Sequence, residues 1–360
     1  MGSMGRQSSF RGDCLKGKVA FITGGGSGIC KEIARQFMLH GASVAIASRD
    51  QKKLHDAAEL LASETGGCCF PVTMDVRKES QVVSAVDAAM AKFGKIDILV
   101  NGAAGNFLCS AEKLSYKGFK TVMEIDAHGS FIVSKTVFEK CFKPAAQRAD
   151  LGAARGLGET VRGRQSDDAG CGKVILNISM TLHYTATLLQ THAGVAKAAV
   201  DAMTKHLAVE WGPYNVRVNS IAPGAVADTV GLSKLNPFVQ RGNISAHLES
   251  QRKSLQATDN SDAGATSRRL HPENGVDPAR EGKKEDLEFL RQFTPLQRIG
   301  TAQDVAFTAV FLCLPESSFI TGANVVVDGG QWMTSGNFTL LEPRQNEAWR
   351  NAPFRVEAKL

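Results

Sequence analysis

The 360-residue chain has no apolar run approaching the roughly 20 residues needed to cross a bilayer. Its opening, MGSMGRQSSFRGDC, lacks the apolar core of a secretory signal, so neither membrane insertion nor export is expected. Arg6 stands where N-myristoylation requires Ser or Thr, which excludes that anchor. The eight cysteines show no metal-ligand or disulfide spacing: there is no C-x-x-C, and Cys68 and Cys69 are adjacent. They read as reduced thiols of an intracellular protein, and no metal is expected. Charge of one sign is also scarce. A formal net charge of +6, dispersed along the chain, supplies no basic stripe for nucleic acid, though it suits small polyanionic ligands.

What is present is an ordinary globular composition, 43% hydrophobic and 22% charged, with length enough for one large core. Short apolar runs alternate with segments of helical spacing. Val19–Ile22 precedes a helix carrying Ile29, Ile33 and Phe37; Ser43–Ser48 precedes one with Leu54, Ala58 and Leu61; Phe70–Met74 precedes one with Val82, Val86, Ala89 and Phe93. Further strands are predicted at Ile96–Val100, Lys173–Ile178, Val216–Ile221 and Val325–Val327, with a helix at Val195, Ala199, Met203 and Leu207. Strand–helix alternation of this kind predicts an α/β fold with a doubly wound parallel sheet. The predicted organisation is a flexible N-terminus over 1–15, one domain over 16–335, and a tail over 336–360. Two stretches without sustained period, 144–171 and 236–293, read as surface insertions; within the second, Asp286–Phe293 has helical spacing and is a candidate lid.

TGGGSGIC, Thr23 to Cys30, joins the first strand to the first helix, where a glycine-rich turn brings backbone N–H groups and the helix dipole to a pyrophosphate. Its T-G-x-x-x-G-x-C spacing resembles the TGxxxGxG loop of the short-chain dehydrogenase/reductase family, a Rossmann-type fold, with cysteine in place of the third glycine. Other landmarks follow in that family's order: Asp75-Val76, Asn101-Gly-Ala-Ala-Gly105, Arg217-Val-Asn-Ser-Ile-Ala-Pro-Gly224, and Phe319-Ile-Thr-Gly with Val-Asp-Gly-Gly330. The resemblance implies a nicotinamide cofactor held by Gly24, Gly25, Gly26, Ser27, Gly28, Ile29, Asp75, Val76, Asn101, Ala103, Lys197, Pro223, Gly224 and Thr229. The second strand ends Ala47-Ser48-Arg49. Arg49, with no carboxylate at Ser48, suits the 2′-phosphate of NADPH; the alternative is an exposed helix-start arginine. Cys30 reads as a tolerated small residue, with a redox switch as the alternative.

The family's usual catalytic set is a Tyr four residues before a Lys, a Ser thirteen residues before that Tyr, and an Asn in the preceding helix. Here Lys197 is in place, but Ala193, Met180 and Asp126 occupy the other three positions. This rewritten proton side resembles the peroxisomal 2,4-dienoyl-CoA reductase subfamily, as do the segments VAFITGGGSGI, NGAAGNFLC and SYKGFKTVMEID. The implied activity is NADPH-dependent reduction of a 2,4-dienoyl-CoA to a 3-enoyl-CoA in fatty-acid β-oxidation. Lys197 would bind the nicotinamide ribose, and Asp126 would position or supply a proton through a water; the alternatives are a trans-2-enoyl-CoA reductase and a silent acyl-CoA-binding subunit. Tyr184 is a candidate displaced phenol. His192 reads as a cap or packing residue before a proton donor, His183 is a weaker candidate, and Thr181 is a candidate for the thioester oxygen. Phe107 is placed on the acyl chain by the resemblance, with a plain core role equally open. Arg77, Lys117 and Lys234 are cations available to the coenzyme A phosphates or to solvent. Ala358-Lys359-Leu360 is a variant of the S-K-L peroxisomal address, which implies an import receptor as partner. The family's habit implies a homo-oligomer, a tetramer.

Overall fold

The computed structural model describes residues 8–147, 172–187, 189–229, 231, 232, 291 and 294–334. Lys234, the rest of 236–293 including the predicted lid save Arg291, residues 148–171 and the tail with Ala358-Lys359-Leu360 lie outside the described residues. Seven strands form one parallel sheet in the order β3-β2-β1-β4-β5-β6-β7. They are β1 (Val19–Thr23), β2 (Ser43–Ser48), β3 (Cys69–Thr73), β4 (Ile98–Asn101), β5 (Lys173–Ile178), β6 (Val216–Pro223) and β7 (Asn324–Val327). This is the doubly wound arrangement that the alternation predicts.

Helices cover both faces, so the strands are apolar on both sides rather than alternating. Along β1, Ala20 and Ile22 join the core beneath α1 (Gly28–Leu39) and α2 (Gln51–Thr65), while Phe21 joins the opposite core against α3 (Glu79–Phe93). Three further helices, α4 (Tyr116–Met123), α5 (Gly129–Val137) and α6 (Leu182–Thr185), precede α7 (Thr191–Trp211); α8 (Ala302–Leu312) and α9 (Gln331–Thr334) follow. The chain reverses direction across the sheet between β1 and β4, which opens a crevice at the carboxyl ends of these strands.

Two boundaries differ from the sequence reading. The expected flexible segment 1–15 is ordered from residue 8: Leu15 is buried, its N–H donates to His40, and Phe10 packs edge-on against His40 and Phe307. A short apolar patch on a polar leader was enough to dock it. Helical backbone also continues through 143–147, so the first residues assigned to the 144–171 insertion extend the helix. α4 and α5 are one continuous rod interrupted by a π turn at Glu124–His128, which no sequence period announces.

Below the sheet, Asp97 is 1% exposed and accepts from the Val19 N–H at 2.9 Å and from Lys173 at 2.6 Å, with Lys95 at 3.2 Å. These donors hold its carboxyl below the usual aspartate range against the opposing effect of burial.

Candidate active site at the strand ends

The glycine loop follows β1 because Thr23 is buried at the strand end and its hydroxyl accepts the N–H groups of Gly102 and Ala103 at 3.0 and 3.1 Å. That ties the first loop to the turn after β4. Gly24 has φ +73°, and a Cβ there would stand 2.8 Å from the Gly102 carbonyl, so no other residue fits. Gly25 packs against Ile46 with no room for a side chain, whereas Gly26 is open toward Ser48. Among the described residues, the N–H groups of Gly25, Gly26, Ser27, Gly28 and Ile29 have no protein acceptor. Unpaired donors at the start of a twelve-residue helix form a cradle for a pyrophosphate.

Cys30 lies under this cradle. Its sulfur is 2.0 Å from where a Cβ on Gly102 would be, so the thiol fills the space left by that glycine. Small volume has been moved from the helix to the facing turn. Burial pushes the thiol up to about 12, against a smaller opposing effect of Lys197. A thiol held protonated is a packing group, which favours the tolerated-substitution reading over a redox switch.

At the carboxyl end of β2, Ser48 closes the strand and Arg49 is exposed beside it in an open concavity lined also by Asp50, Gln51, Lys52, His55 and Asp56. Asp50 caps α2, its carboxylate accepting the Lys53 N–H at 3.1 Å. Asp75 and Val76 follow β3, with Gly129 so close to Val76 that a Cβ would meet its side chain at 2.7 Å. Arg77 is committed to Asp75: its guanidinium forks onto both carboxylate oxygens at 2.5 and 3.0 Å. That pairing holds the Asp75 carboxyl below its ordinary value.

Deeper in the crevice, the π turn aims Asp126 inward, 1% exposed. One oxygen accepts the Gly105 N–H at 2.7 Å and the other stands 3.1 Å from the Lys197 ammonium, which also donates to the Ile178 carbonyl at 2.9 Å. Asp126 therefore ties the loop after β4, the end of β5 and helix α7 together. Ala193 and Lys197 lie four residues apart on α7, both buried, and Ala193 leaves no phenol beside the ammonium.

Tyr184 does not replace it. Its hydroxyl is hydrogen-bonded to Asn324 on β7, and its ring lies against Trp332. Burial and Asp201 push its pKa up. His183 pairs with Asp201 at 2.8 Å in the same cluster. Thr181 is half-buried at the start of α6.

On the substrate side, the Phe107 ring is 39% exposed and stacks on His192, with ring centres 4.2 Å apart. His192 is fully buried; Nε2 is 2.9 Å from the Phe107 carbonyl, and Nδ1 has no partner among the described residues. Lys117 is exposed in the first turn of α4. Pro223 ends β6, and Gly224 packs on Asp328, whose carboxylate accepts the Gly330 and Trp332 N–H groups. Thr229 reaches within 3.8 Å of a Cβ position on Gly28, closing the crevice over the glycine loop.

Sequence reasoning missed a buried polar ladder. Asn101, at the end of β4, donates to Ser134 on α5 at 2.8 Å and to Asn177 on β5 at 2.9 Å, and Asn177 donates to Thr204 on α7 at 2.8 Å. The available signal was an Asn inside each of two apolar strands, at paired register positions. The Oδ1 of Asn101 is buried and left without a partner among the described residues. Cradle, glycine contacts and unpaired donors fit a dinucleotide.

Comparison with known proteins agrees with the geometry. Residues 18–148 match the short chain dehydrogenase family, and 164–265 with 276–331 match the enoyl-(acyl carrier protein) reductase family. The chain is 41% identical over 325 residues to the peroxisomal 2,4-dienoyl-CoA reductase [(3E)-enoyl-CoA-producing] of Rattus norvegicus, covering 90% of this chain and 87% of that one. Identity to the Arabidopsis thaliana protein of the same name is 38%, over 91% and 88%. The crystal structure of 3-ketoacyl-(acyl-carrier-protein) reductase from Brucella melitensis complexed with NADH superposes with a TM-score of 0.63 at 27% identity, covering 88% of this chain and 99% of that one. Fold, glycine loop and family match converge: the chain belongs to the short-chain dehydrogenase/reductase family.

Proposed function

We propose that this protein uses NADPH to reduce 2,4-dienoyl-CoA esters to 3-enoyl-CoA in peroxisomal β-oxidation. The relatives from rat and Arabidopsis carry this reaction and compartment in their names. One observation of the site carries the reading: Lys197 is retained, buried and paired with Asp126, while alanine stands at the phenol position and methionine at the hydroxyl position. A ketone reductase needs a phenol there to protonate oxygen; a conjugated thioester needs its proton at carbon.

NADPH would supply the hydride when bound. The backbone from Gly24 to Ile29 would take its pyrophosphate, with Arg49 on the 2′-phosphate and Asp75 and Val76 about the adenine. Asn101 and Ala103 would form the turn beneath it, and Pro223, Gly224 and Thr229 would flank the nicotinamide. Lys197 would hold the ribose. Asp126 would position the site: one oxygen accepts the Gly105 N–H and the other pairs with Lys197, so it fixes both, and it would position or supply the proton through a water. Phe107 offers an exposed ring to the acyl chain. Lys117 and Lys234 would be cations for the coenzyme A phosphates, with Arg77 a third whose guanidinium is already paired with Asp75.

Import would use Ala358-Lys359-Leu360, and the functional form would be a homotetramer. Product analysis tests the reaction. Turnover of 2,4-decadienoyl-CoA with NADPH should yield a thioester whose remaining double bond lies at carbon 3, read by NMR; a bond at carbon 2 would place the protein with 2-enoyl-producing reductases.

A further inference from the structure

One turn beyond Lys197, α7 carries a second buried acid. Asp201 is 7% exposed and gathers groups from three other elements. Nε2 of His183 on α6 stands 2.8 Å from its Oδ2. The Asn324 amide on β7 donates one hydrogen to that oxygen at 2.5 Å and the other to the Tyr184 hydroxyl. The Ser220 hydroxyl on β6 donates to the Asn324 side-chain carbonyl at 2.8 Å and lies 3.4 Å from Oδ1 of Asp201. A carboxylate only accepts, so Nε2 carries the His183 ring hydrogen, and Nδ1 has no partner among the described residues. Asp201 is therefore what orients that ring.

The cluster fixes the chain between β5 and α7. This strap starts at Ser179, passes Met180 and Thr181, and ends at Gln190 before the helix of Lys197. Its backbone is strained: Ala186 has φ 61° with ψ 146°, and Leu189 has φ 65°, values that favour glycine. Residues held in this way persist only where their surroundings over-determine them. Thr185, Ala186 and Thr187 are exposed, so packing contributes little, and hydrogen bonds on either side of Ala186 must do the holding. Upstream, His183 and Tyr184 are tied to Asp201 and Asn324. Downstream, the Leu189 carbonyl accepts the Cys109 N–H at 3.1 Å. Cys109 lies two residues past Phe107, so the strap is joined to the loop that presents the exposed Phe107 ring.

Resting on the dienoyl-CoA reading above, we propose that Asp201 is a positioning residue for the acyl-CoA ester. Through His183 and Asn324 it holds the strap as a wall of the crevice, joined to the Phe107 loop, and so sets affinity for the ester without taking part in the transfer of hydride or proton.

The test is Asp201→Ala in the full chain. KM for 2,4-dienoyl-CoA should rise about tenfold, as for the loss of one charge-assisted hydrogen bond, with kcat falling less than KM rises and KM for NADPH unchanged. Without substrate, hydrogen exchange at the Tyr184 and Cys109 amides should quicken about tenfold while β1 and β5 keep their native protection, a local change that general destabilisation would not produce. Adding Ala186→Gly relieves the strain that the anchor holds and should recover part of the lost affinity. A native KM in folded Asp201→Ala overturns the assignment, as does a loss that the glycine does not ease. Should Asp201→Ala fail to fold by circular dichroism, His183→Ala decides: the same changes in KM and exchange are expected, and native values overturn the proposal. The two readings fail separately, because native enzyme inert toward dienoyl-CoA refutes the function, whereas unaltered exchange in the variant refutes the anchor.

Discussion

Gly102→Ala and Cys30→Gly should be strongly coupled, because one sulfur occupies the place of the other residue's missing side chain. A methyl on Gly102 would stand 2.0 Å from the Cys30 sulfur, where ordinary heavy-atom contact is about 3.5–4.0 Å. The turn cannot retreat freely, since its two N–H groups are fixed on Thr23. Overpacking of this kind costs about 1–3 kcal/mol. Cys30→Gly alone should cost about 2 kcal/mol, roughly half from placing glycine in a helix and half from losing a small buried side chain. In the double variant the sulfur clash is gone and the new methyl occupies the vacated space, leaving its 3.1 Å approach to the Thr23 carbonyl. It should be no less stable than Cys30→Gly alone, giving a coupling of about 1–3 kcal/mol toward stability. Urea unfolding of the four proteins measures the cycle, and NADPH fluorescence reports whether the turn is rebuilt. Additive single effects within about 0.5 kcal/mol would refute the packing argument.

Asp126→Ala should lower kcat about 10²-fold, since it releases both Lys197 and the Gly105 turn; a near-normal rate would remove it from the mechanism. Arg49→Ala should raise the NADPH Kd about 10- to 100-fold, the equivalent of a charge-assisted hydrogen bond of about 1.5–3 kcal/mol, and leave NADH binding unchanged in the same titration. Asp97→Ala should destabilise by about 3–5 kcal/mol at pH 7 in urea unfolding, because it strips the partner from the half-buried Lys173 and the acceptor from the Val19 N–H. Its folded pKa is depressed, so the native advantage is complete above the unfolded value near 3.9 and is lost as pH falls through the lower folded one. Tyr184→Phe should leave kcat unchanged in the steady-state assay; a large loss would return the hydroxyl to the active site.

The sheet was legible because its strands are short, apolar and punctuated by glycine turns, and because βαβ crossovers leave one hand of winding. The cofactor loop was legible for a similar reason: local backbone chemistry dictates its residues. What could not be read was the three-dimensional partner of each polar group. Nothing in the periodicity of SYKGFKTVMEIDAHG announces that a π turn rotates Asp126 onto Gly105 and Lys197. Tyr184 stands close in sequence to the catalytic region, yet the loop after β5 carries it to β7. His192 read as a cap or packing residue, and it packs on Phe107, but that partner lies 85 residues away and no local signal names it. The Cys30 anomaly was visible at once, but its explanation required knowing which glycine faced it.

The account rests on electrons being directed to a carbon–carbon double bond by a site that kept its lysine and lost its phenol. Offering NADPH with 2,4-dienoyl-CoA, 2-enoyl-CoA and 3-ketoacyl-CoA in parallel, and following absorbance at the nicotinamide band, tests this directly. Rapid oxidation with the dienoyl ester and none with the ketoacyl ester is the predicted result; rapid oxidation with the ketoacyl ester alone would contradict it.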